Sequence, residues 1–565
     1  MLIGLFSVIL IACLGTAVYS NTLLCSFHFD DIPYIVDNLL IKDIHHLQGI
    51  LNWWPCRFIT FFSFALNYHF NQLDVSGYHV FNLAVHLIAA IFVWWLVRLT
   101  FLTPVMKDEP IARHADFLAL FAGLVFVSHP IQTQAVTFIW QRTASMAAMF
   151  YLASMCFYVR SGLDSTKAGK VLYYILSLII AGMAMFTKEN AITLPLMIVL
   201  YEFCFFRSAK VINWKRLIPF FFVFLIIPLT WVLTGAEKSQ SKHSFIPNID
   251  SIHYLLTQFR VIWTYIRLLF IPVHQNLDYD YSFSKSLFEL PVFLSFAGLA
   301  LIFIFALRVF STYRLISFSI FWFFLTLLPE SSFFHFGDVI FEHRLYLPLV
   351  GFSLFLVTVL YYLANRYSVK AAWIILSIFI VTNSMLTYQR NKVWKDELTL
   401  WSDIIQKSPY KARPYNSLGL IYENKGDDKK ALYYYNKALE IFPGYVDALN
   451  NRGLLYYKRG DDDAALFDFD RAIELKPDLV NAYNNRGLIY AQEGDLSLAI
   501  MDFNQCIALN PDYARAYVNR GLVWARQGDI AQAMSDYNKA IELNPDLKAY
   551  ISRNIAYKQA ISEKK

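Results

Sequence analysis

Two adjacent carboxylates open the chemistry of this chain. Asp30 and Asp31 stand in Phe29-Asp30-Asp31-Ile32-Pro33-Tyr34, just past an N-terminal apolar run. A carboxylate at such a place can take a proton from a hydroxyl. An arbitrary acidic pair is more often a solvated loop start or a helix cap. Other polar groups stand at the ends of apolar runs on the same side. His129-Pro130, Gln132, Gln141 and Arg142 form one turn, Lys188-Glu189-Asn190 a second, and Glu342-His343-Arg344 a third. Ionisable groups near membrane depth are costly and usually functional. Taken singly, each also fits interfacial snorkelling or an internal ion pair, such as Lys188 with a carboxylate. Taken together, they make a carboxylate pair ringed by cations. Asp30 and Asp31 are the catalytic candidates. Arg142, Lys188 and Arg344 are candidates to hold a phosphate, since guanidinium binds it bidentately. His129, Glu189, Glu342 and His343 support them, and Arg57, Arg260 and Arg267 stand in reserve. A lipid phosphate arrives from the bilayer at this level, so the chemistry that suits is glycosyl transfer from a lipid-linked sugar phosphate. No P-loop or dinucleotide fingerprint points to a nucleotide donor.

Composition says what carries these groups. Of 565 residues, 57% are hydrophobic, 17% aromatic and only 16% charged, against about 25% charged in soluble domains. Neither a soluble surface nor a disordered chain has this average. Six cysteines without a CxxC pair exclude a disulfide scaffold and a cysteine-built zinc site. Cys25 and Cys56 share one side of the membrane, and spacing does not show whether they pair. The net charge of +6 fits basic loops better than nucleic-acid binding.

Residues 1–388 read as a polytopic helical domain with about eleven spans of the length a bilayer needs. They fall near 2–20, 78–97, 117–135, 143–159, 171–186, 191–206, 217–234, 288–307, 315–330, 346–364 and 371–388. The first is read as an uncleaved anchor rather than a signal peptide, because it lacks a basic start. Residues 258–273 carry Arg260 and Arg267 and read as re-entrant or interfacial, and Phe58–Phe70 as a helix along the interface. Basic residues crowd alternate breaks: Arg98, Lys107 and Arg113; Arg160, Lys167 and Lys170; Arg207, Lys210, Lys215 and Arg216; Arg308 and Arg314; Arg366 and Lys370. These loops are therefore cytoplasmic. An odd number of spans puts the C-terminal part outside, with the acidic pair.

After a linker at 389–410, which holds a degenerate repeat helix at Leu398–Lys407, residues 411–546 repeat every 34 residues. Glycine recurs at 419, 453, 487 and 521 and again at 426, 460, 494 and 528. Alanine recurs at 431, 465, 499 and 533, an aromatic at 435, 469, 503 and 537, and proline at 443, 477, 511 and 545. Period and positions are those of four tetratricopeptide repeats, followed at 547–565 by a capping helix (Leu547–Ser562) and tail. The fold class is all-α, a membrane domain followed by an α-solenoid. Such solenoids bind peptide in a concave groove. Asn451, Asn485 and Asn519 each stand two residues before the first repeat glycine, with Ser417 in the first unit. A carboxamide column there can hold an extended backbone, although asparagine is common at this position in repeats that do nothing of the kind.

The stretches FHFDDIPYIVDN, YHVFNLAVHL, HPIQTQAVTFIWQRTASMAAMFYL, KENAITLPLMIVLYE, LLFIPVHQNLDYDY and FEHRLYLPLVGF, in this order before the repeats, resemble the transmembrane and tetratricopeptide-repeat O-mannosyltransferases and their bacterial relatives in the GT-C superfamily. The resemblance implies a polyprenyl-phosphate-linked sugar and transfer to Ser or Thr hydroxyls on the outer face. It places the family's acidic pair on Asp30 and Asp31, Asp30 following Phe29. The commoner family form has an acid and a Gly-Arg where this chain has Gln134 and Gln141-Arg142; Arg142 is retained and a role for Gln134 is not inherited. The expectation is a membrane-bound protein O-glycosyltransferase in a bacterial inner membrane, with its repeats on the periplasmic side. Its partners are lipids, the sugar donor and an acceptor protein held by the repeats, with no nucleic acid, resident cofactor or metal ligand set. The alternatives are a GT-C enzyme acting on a glycan or lipid and a non-catalytic anchored scaffold.

Overall fold

Long apolar runs with no water to satisfy their backbone can only coil into helices. The chain does so throughout: a computed structural model describes residues 2–206, 214–234, 250–332, 338–365 and 368–553, and contains no strand among them. Arg207, Lys210 and Arg366 of the basic loops and residues 554–562 of the expected capping helix lie outside the described residues. The chain divides into two units, Met1–Asp403 and Ile404–Lys565. The boundary falls inside helix Glu397–Lys407, where the degenerate repeat helix is expected.

In the first unit, eight helices among the described residues are long and apolar enough to cross a membrane: Leu2–Thr22, Val75–Thr100, Pro110–Ser128, Ile139–Leu163, Lys167–Met185, Glu189–Phe206, Leu290–Val309 and Val369–Trp394. This is an integral membrane protein. Three expected spans are shorter or broken. Arg314–Leu327 has 14 residues and Pro348–Asn365 has 18. Residues 217–234 divide into Trp214–Phe224, with Pro219 inside it, and Ile226–Thr234. Residues 258–270 belong to one continuous helix of 20 residues, Ser251–Phe270, begun by Asp250 accepting from the Ile252 amide. Its arginines reach outward to loop oxygens, Arg260 to Ser282 and Ser284 and Arg267 to the Val273 carbonyl. Phe58–Asn71 is helical, as the aromatic run predicts.

The basic residues gather at one end of this unit. Arg98 pairs with Asp116 at 2.9 Å, Arg216 bonds Ser161, and Arg314 bonds the Cys204 carbonyl. The acidic pair and the three polar turns gather at the other end.

The second unit pairs antiparallel helices, Ala412–Asn424 with Asp428–Ile441, Val446–Lys458 with Asp462–Leu475, Val480–Glu493 with Leu496–Leu509, and Ala514–Gln527 with Ile530–Leu543. Each first helix closes on a left-handed glycine, with φ from +75° at Gly426 to +94° at Gly494, a conformation that glycine adopts without strain. A Cβ at Gly453 would lie 2.9 Å from Phe469, so the aromatic column needs that glycine column. The first seven residues of the capping helix, Leu547–Arg553, are helical.

Candidate functional site

The first loop is bent by Phe29, whose φ of +43° is rare for a residue with a side chain and whose ring packs edge-on to Trp401. The bend separates the two carboxylates. Asp31 is fully buried: one oxygen accepts the His28 amide at 2.8 Å and the other the Trp140 amide at 2.7 Å. Burial pushes its carboxyl well above the ordinary range, against the pull of those amides and of Arg142. Asp31 therefore ties the first loop to the turn Ile139–Gln141, and Asp30 is left half-buried beside it. Tyr34 follows on a wide turn over Ile32–Val36 and stacks on Trp140, centroids 4.3 Å apart. Arg57 lies 4.2 Å over the Trp54 ring and pairs with Glu189 at 3.3 Å. Burial raises the Tyr34 phenol; Asp30 raises it further and Arg57 opposes. One aromatic ring thus feels both the candidate base and a cation.

Arg57 leads to the other turns. Lys188 does form the internal pair that its position suggests, with Glu330 at 2.7 Å, and both are nearly buried. Arg344 donates to the Tyr254 hydroxyl at 3.1 Å and to the carbonyls of Glu330, Val339 and Asp338. Burial alone would raise the Glu330 carboxyl; Lys188, Arg344 and Arg57 reverse this and hold it below the ordinary range. The imidazole of His343 is held far below its usual value by burial and then by the same three cations. Arg57, Lys188 and Arg344 therefore converge on one place, which holds Glu189, Glu330 and His343.

The remaining candidates do not face it. Arg142 has no exposed surface: it donates to Asn82 at 2.6 Å, to Ser63 and to the Tyr78 carbonyl, sandwiched by Phe64 and Phe81. Its guanidinium donates to protein groups, as that of Arg344 also does. Glu342 accepts from the Asn276 amide, the Tyr279 hydroxyl and Gln275, fastening the loop after helix Ser251–Phe270. His129 spans the Leu269 carbonyl and the Ile131 amide. Gln134 accepts the His343 amide at 2.8 Å. Cys25 and Cys56 are not joined in a disulfide, and the Cys56 Sγ lies 2.9 Å from the Thr230 hydroxyl.

In the repeats the asparagines bond to their own array. Asn451 donates to Asn416 at 3.1 Å, Asn485 to Asn450 at 3.2 Å and Asn519 to Asn484 at 2.8 Å. These bonds make the column a tie between successive units.

Arg57 and Glu330 are central here, and the sequence gives them little emphasis. Their signals are a lone arginine after Trp53-Trp54-Pro55-Cys56 and a lone carboxylate closing an apolar run at Leu327-Leu328-Pro329-Glu330.

Comparison with known proteins bears on both units. Models described as tetratricopeptide repeat match residues 412–445, 480–513 and 514–547, and one described as TPR repeat matches 453–494. Human protein O-mannosyl-transferase TMTC3 is 26% identical over 508 residues, covering 79% of this chain and 52% of that protein. The Caenorhabditis elegans protein O-mannosyl-transferase F38B6.6 is 26% identical over 466 residues, covering 78% and 64%. The chain thus spans between about half and two thirds of the length of these relatives. Among solved structures, crystal structures of MamA (24% identity, TM-score 0.24, 26% of this chain and 86% of that one) and of YrrB (22%, 0.25, 34% and 91%) match part of it.

Among the described residues no group of three His, Cys, Asp or Glu side chains is placed to hold a metal ion. This end of the membrane unit thus gathers Arg57, Lys188 and Arg344, the first two paired with Glu189 and Glu330 and the third donating to a hydroxyl and three carbonyls.

Proposed function

We propose that this chain is a membrane-embedded protein O-glycosyltransferase. It moves a sugar from a polyprenyl-phosphate donor to a Ser or Thr hydroxyl of a secreted or surface protein. The carrying observation is that Tyr34, whose amide bonds the Asp30 carbonyl, and Arg57 lie against the same two rings, Trp54 and Trp140, while Arg57 also pairs with Glu189, next to the Lys188 that pairs with Glu330. In this reading a proton acceptor and a phosphate cradle adjoin, as displacement at a sugar carbon requires. Asp30 takes the acceptor hydroxyl's proton, and the lipid phosphate departs into the cations. Asp31 positions Asp30 by anchoring the loop. The aromatic wall of Tyr34, Trp54 and Trp140 offers flat apolar faces for a sugar ring or isoprenoid. The relatives named protein O-mannosyl-transferases support mannose as the first sugar to try. The reaction face is the outer one, periplasmic in a bacterium and lumenal in a eukaryote, and the repeats recruit the acceptor.

The test is transfer from polyprenyl-phosphate mannose to a Ser/Thr-rich acceptor protein by membranes carrying the full chain. Asp30→Asn is expected to insert normally and to lose about 10²–10⁴-fold in rate. Near-full transfer by this variant would remove Asp30 as the base.

A further inference from the structure

Five histidines are buried in the membrane unit, and four of them settle the ring against protein. Nε2 of His28 lies 2.6 Å from the Trp394 carbonyl, that of His79 2.9 Å from Cys25's, and that of His129 2.9 Å from Leu269's. His86 sits between the Tyr346 hydroxyl at 2.8 Å and the Val127 carbonyl at 3.3 Å. A neutral imidazole carries one N–H and one lone pair, and in each of these a carbonyl lies within reach of a ring nitrogen.

His343 differs. It is 7% exposed, and the hydrogen bonds it makes among the described residues are main-chain ones, its amide to Gln134 and its carbonyl from the Tyr346 amide. Nδ1 is buried without a partner, as in His28 and His79, but here neither ring nitrogen has a protein partner that could hold the ring as theirs do. The ring is not loose, for it stacks on Phe341 with centroids 5.1 Å apart and planes at 27°. Buried polar groups are nearly always satisfied, and an exception calls for an explanation. Its surroundings supply one. Arg57 pairs with Glu189, Lys188 pairs with Glu330, and Arg344 donates to the Glu330 carbonyl, so three cations are gathered at the turn that carries this ring. Those cations also keep the imidazole neutral, so it retains a single N–H.

We infer that His343 is a catalytic residue, the fourth donor of a phosphate cradle, whose neutral N–H hydrogen-bonds a phosphate oxygen held by charge on Arg57, Lys188 and Arg344. The inference rests on the function proposed above and names the group that meets the leaving phosphate. A fourth cation at this point would be repelled by the other three; a neutral N–H gives direction without that cost. As the acceptor oxygen bonds to the anomeric carbon, the bond from that carbon to the phosphate oxygen breaks and its electron pair stays on the phosphate. The acceptor's proton goes to Asp30, and none passes from His343. The phosphate gains one negative charge, so the His343 hydrogen bond strengthens as the reaction proceeds, which is the condition for lowering a barrier.

The test uses the full chain in nanodiscs with two probes, sugar-free polyprenyl phosphate for binding and polyprenyl-phosphate mannose for transfer. His343→Phe keeps a flat ring on Phe341 and removes the donor; His343→Gln keeps a donor. The Phe variant is expected to bind polyprenyl phosphate about tenfold more weakly and to lose about 10²–10³-fold in kcat, with donor KM changed far less. The Gln variant is expected to recover at least part of both, and the two to melt alike. Equal binding by wild type and the Phe variant, or equal impairment of both variants, overturns the assignment. Wild-type chain that binds no polyprenyl phosphate and transfers no sugar sinks the function itself; wild-type transfer with an unaffected Phe variant sinks His343 alone.

Discussion

Asp31 and Arg142 are buried and hydrogen-bonded to protein, and both act by holding others in place. Removing the Asp31 carboxyl leaves the His28 and Trp140 amides without acceptors in a buried place, at roughly 1–3 kcal/mol each. Asp31→Ala is therefore expected to lower the thermal midpoint of the purified chain clearly, and Asp30→Asn to leave it unchanged. The reverse order in a melting experiment would exchange their roles. The arginines are separated by binding. Arg142→Ala strands acceptors on Asn82, Ser63 and Tyr78 and is expected to cost about 2–4 kcal/mol of stability; Arg142→Lys cannot restore the fork. Arg57 has a partly exposed side chain on Trp54 and Glu189. Arg57→Ala is expected to weaken polyprenyl-phosphate binding tenfold or more and, because it leaves the nearly buried Glu189 carboxylate unpaired, to lower the melting point as well. A destabilised Arg57→Ala that binds normally would return Arg57 to a structural part.

At the scale of elements, the repeats show what a sequence period carries and what it leaves out. The glycine, alanine and aromatic columns could be read directly, because each acts within one helix pair. The asparagine column could be read by type but not by partner, since each side chain bonds 35 residues upstream in the preceding unit. A second column runs beside it. Arg452, Arg486 and Arg520 each grip an aspartate 16 residues on, Asp468, Asp502 and Asp536, with two bonds of 2.7–2.8 Å. The third arm reaches the preceding unit at Asn436, Asp470 and Asn504. Each arginine therefore fastens its own pair of helices and the unit before it. Arg486→Ala leaves the nearly buried Asp502 carboxylate unpaired and is expected to loosen the array by about 3 kcal/mol. Hydrogen exchange on the full chain should show faster exchange in Val480–Leu509 than anywhere in the membrane unit; unchanged protection there would contradict the staple. The candidate site divides in the same way. Lys188, His343 and Arg344 stand out in sequence as ionisable groups at the ends of apolar runs. Glu330 does not, because its meaning is its contact with a lysine 142 residues away.

At the scale of the whole molecule, the side on which the chain leaves the membrane follows from contacts inside the first unit and not from counting spans. Eight helices are long enough to cross, three more apolar segments are short or broken, and parity argued from such a list is fragile. The first loop, however, lies against the end of the last span. The Ser26 amide donates to the Lys395 carbonyl at 3.1 Å, His28 meets the Trp394 carbonyl, Phe29 packs on Trp401, and Asn21 bonds Asn391. Arg390 then pairs with Asp403 at 2.8 Å, at the last residue of the unit. The first and last spans thus end at the same face, the one that carries Asp30. Single cysteines at Leu39 and Tyr410, both 76% exposed, and at Leu102, 55% exposed at the basic end, in a background with Cys13 replaced by serine, test this. A membrane-impermeant maleimide applied to intact cells, or to sealed vesicles of known orientation, is expected to label Leu39→Cys and Tyr410→Cys together, and Leu102→Cys only after permeabilisation. If Tyr410→Cys labels with Leu102→Cys instead, the repeats lie across the membrane from Asp30. They could not then deliver an acceptor to it, and the proposed transferase would lose its means of recruiting protein while keeping its chemistry.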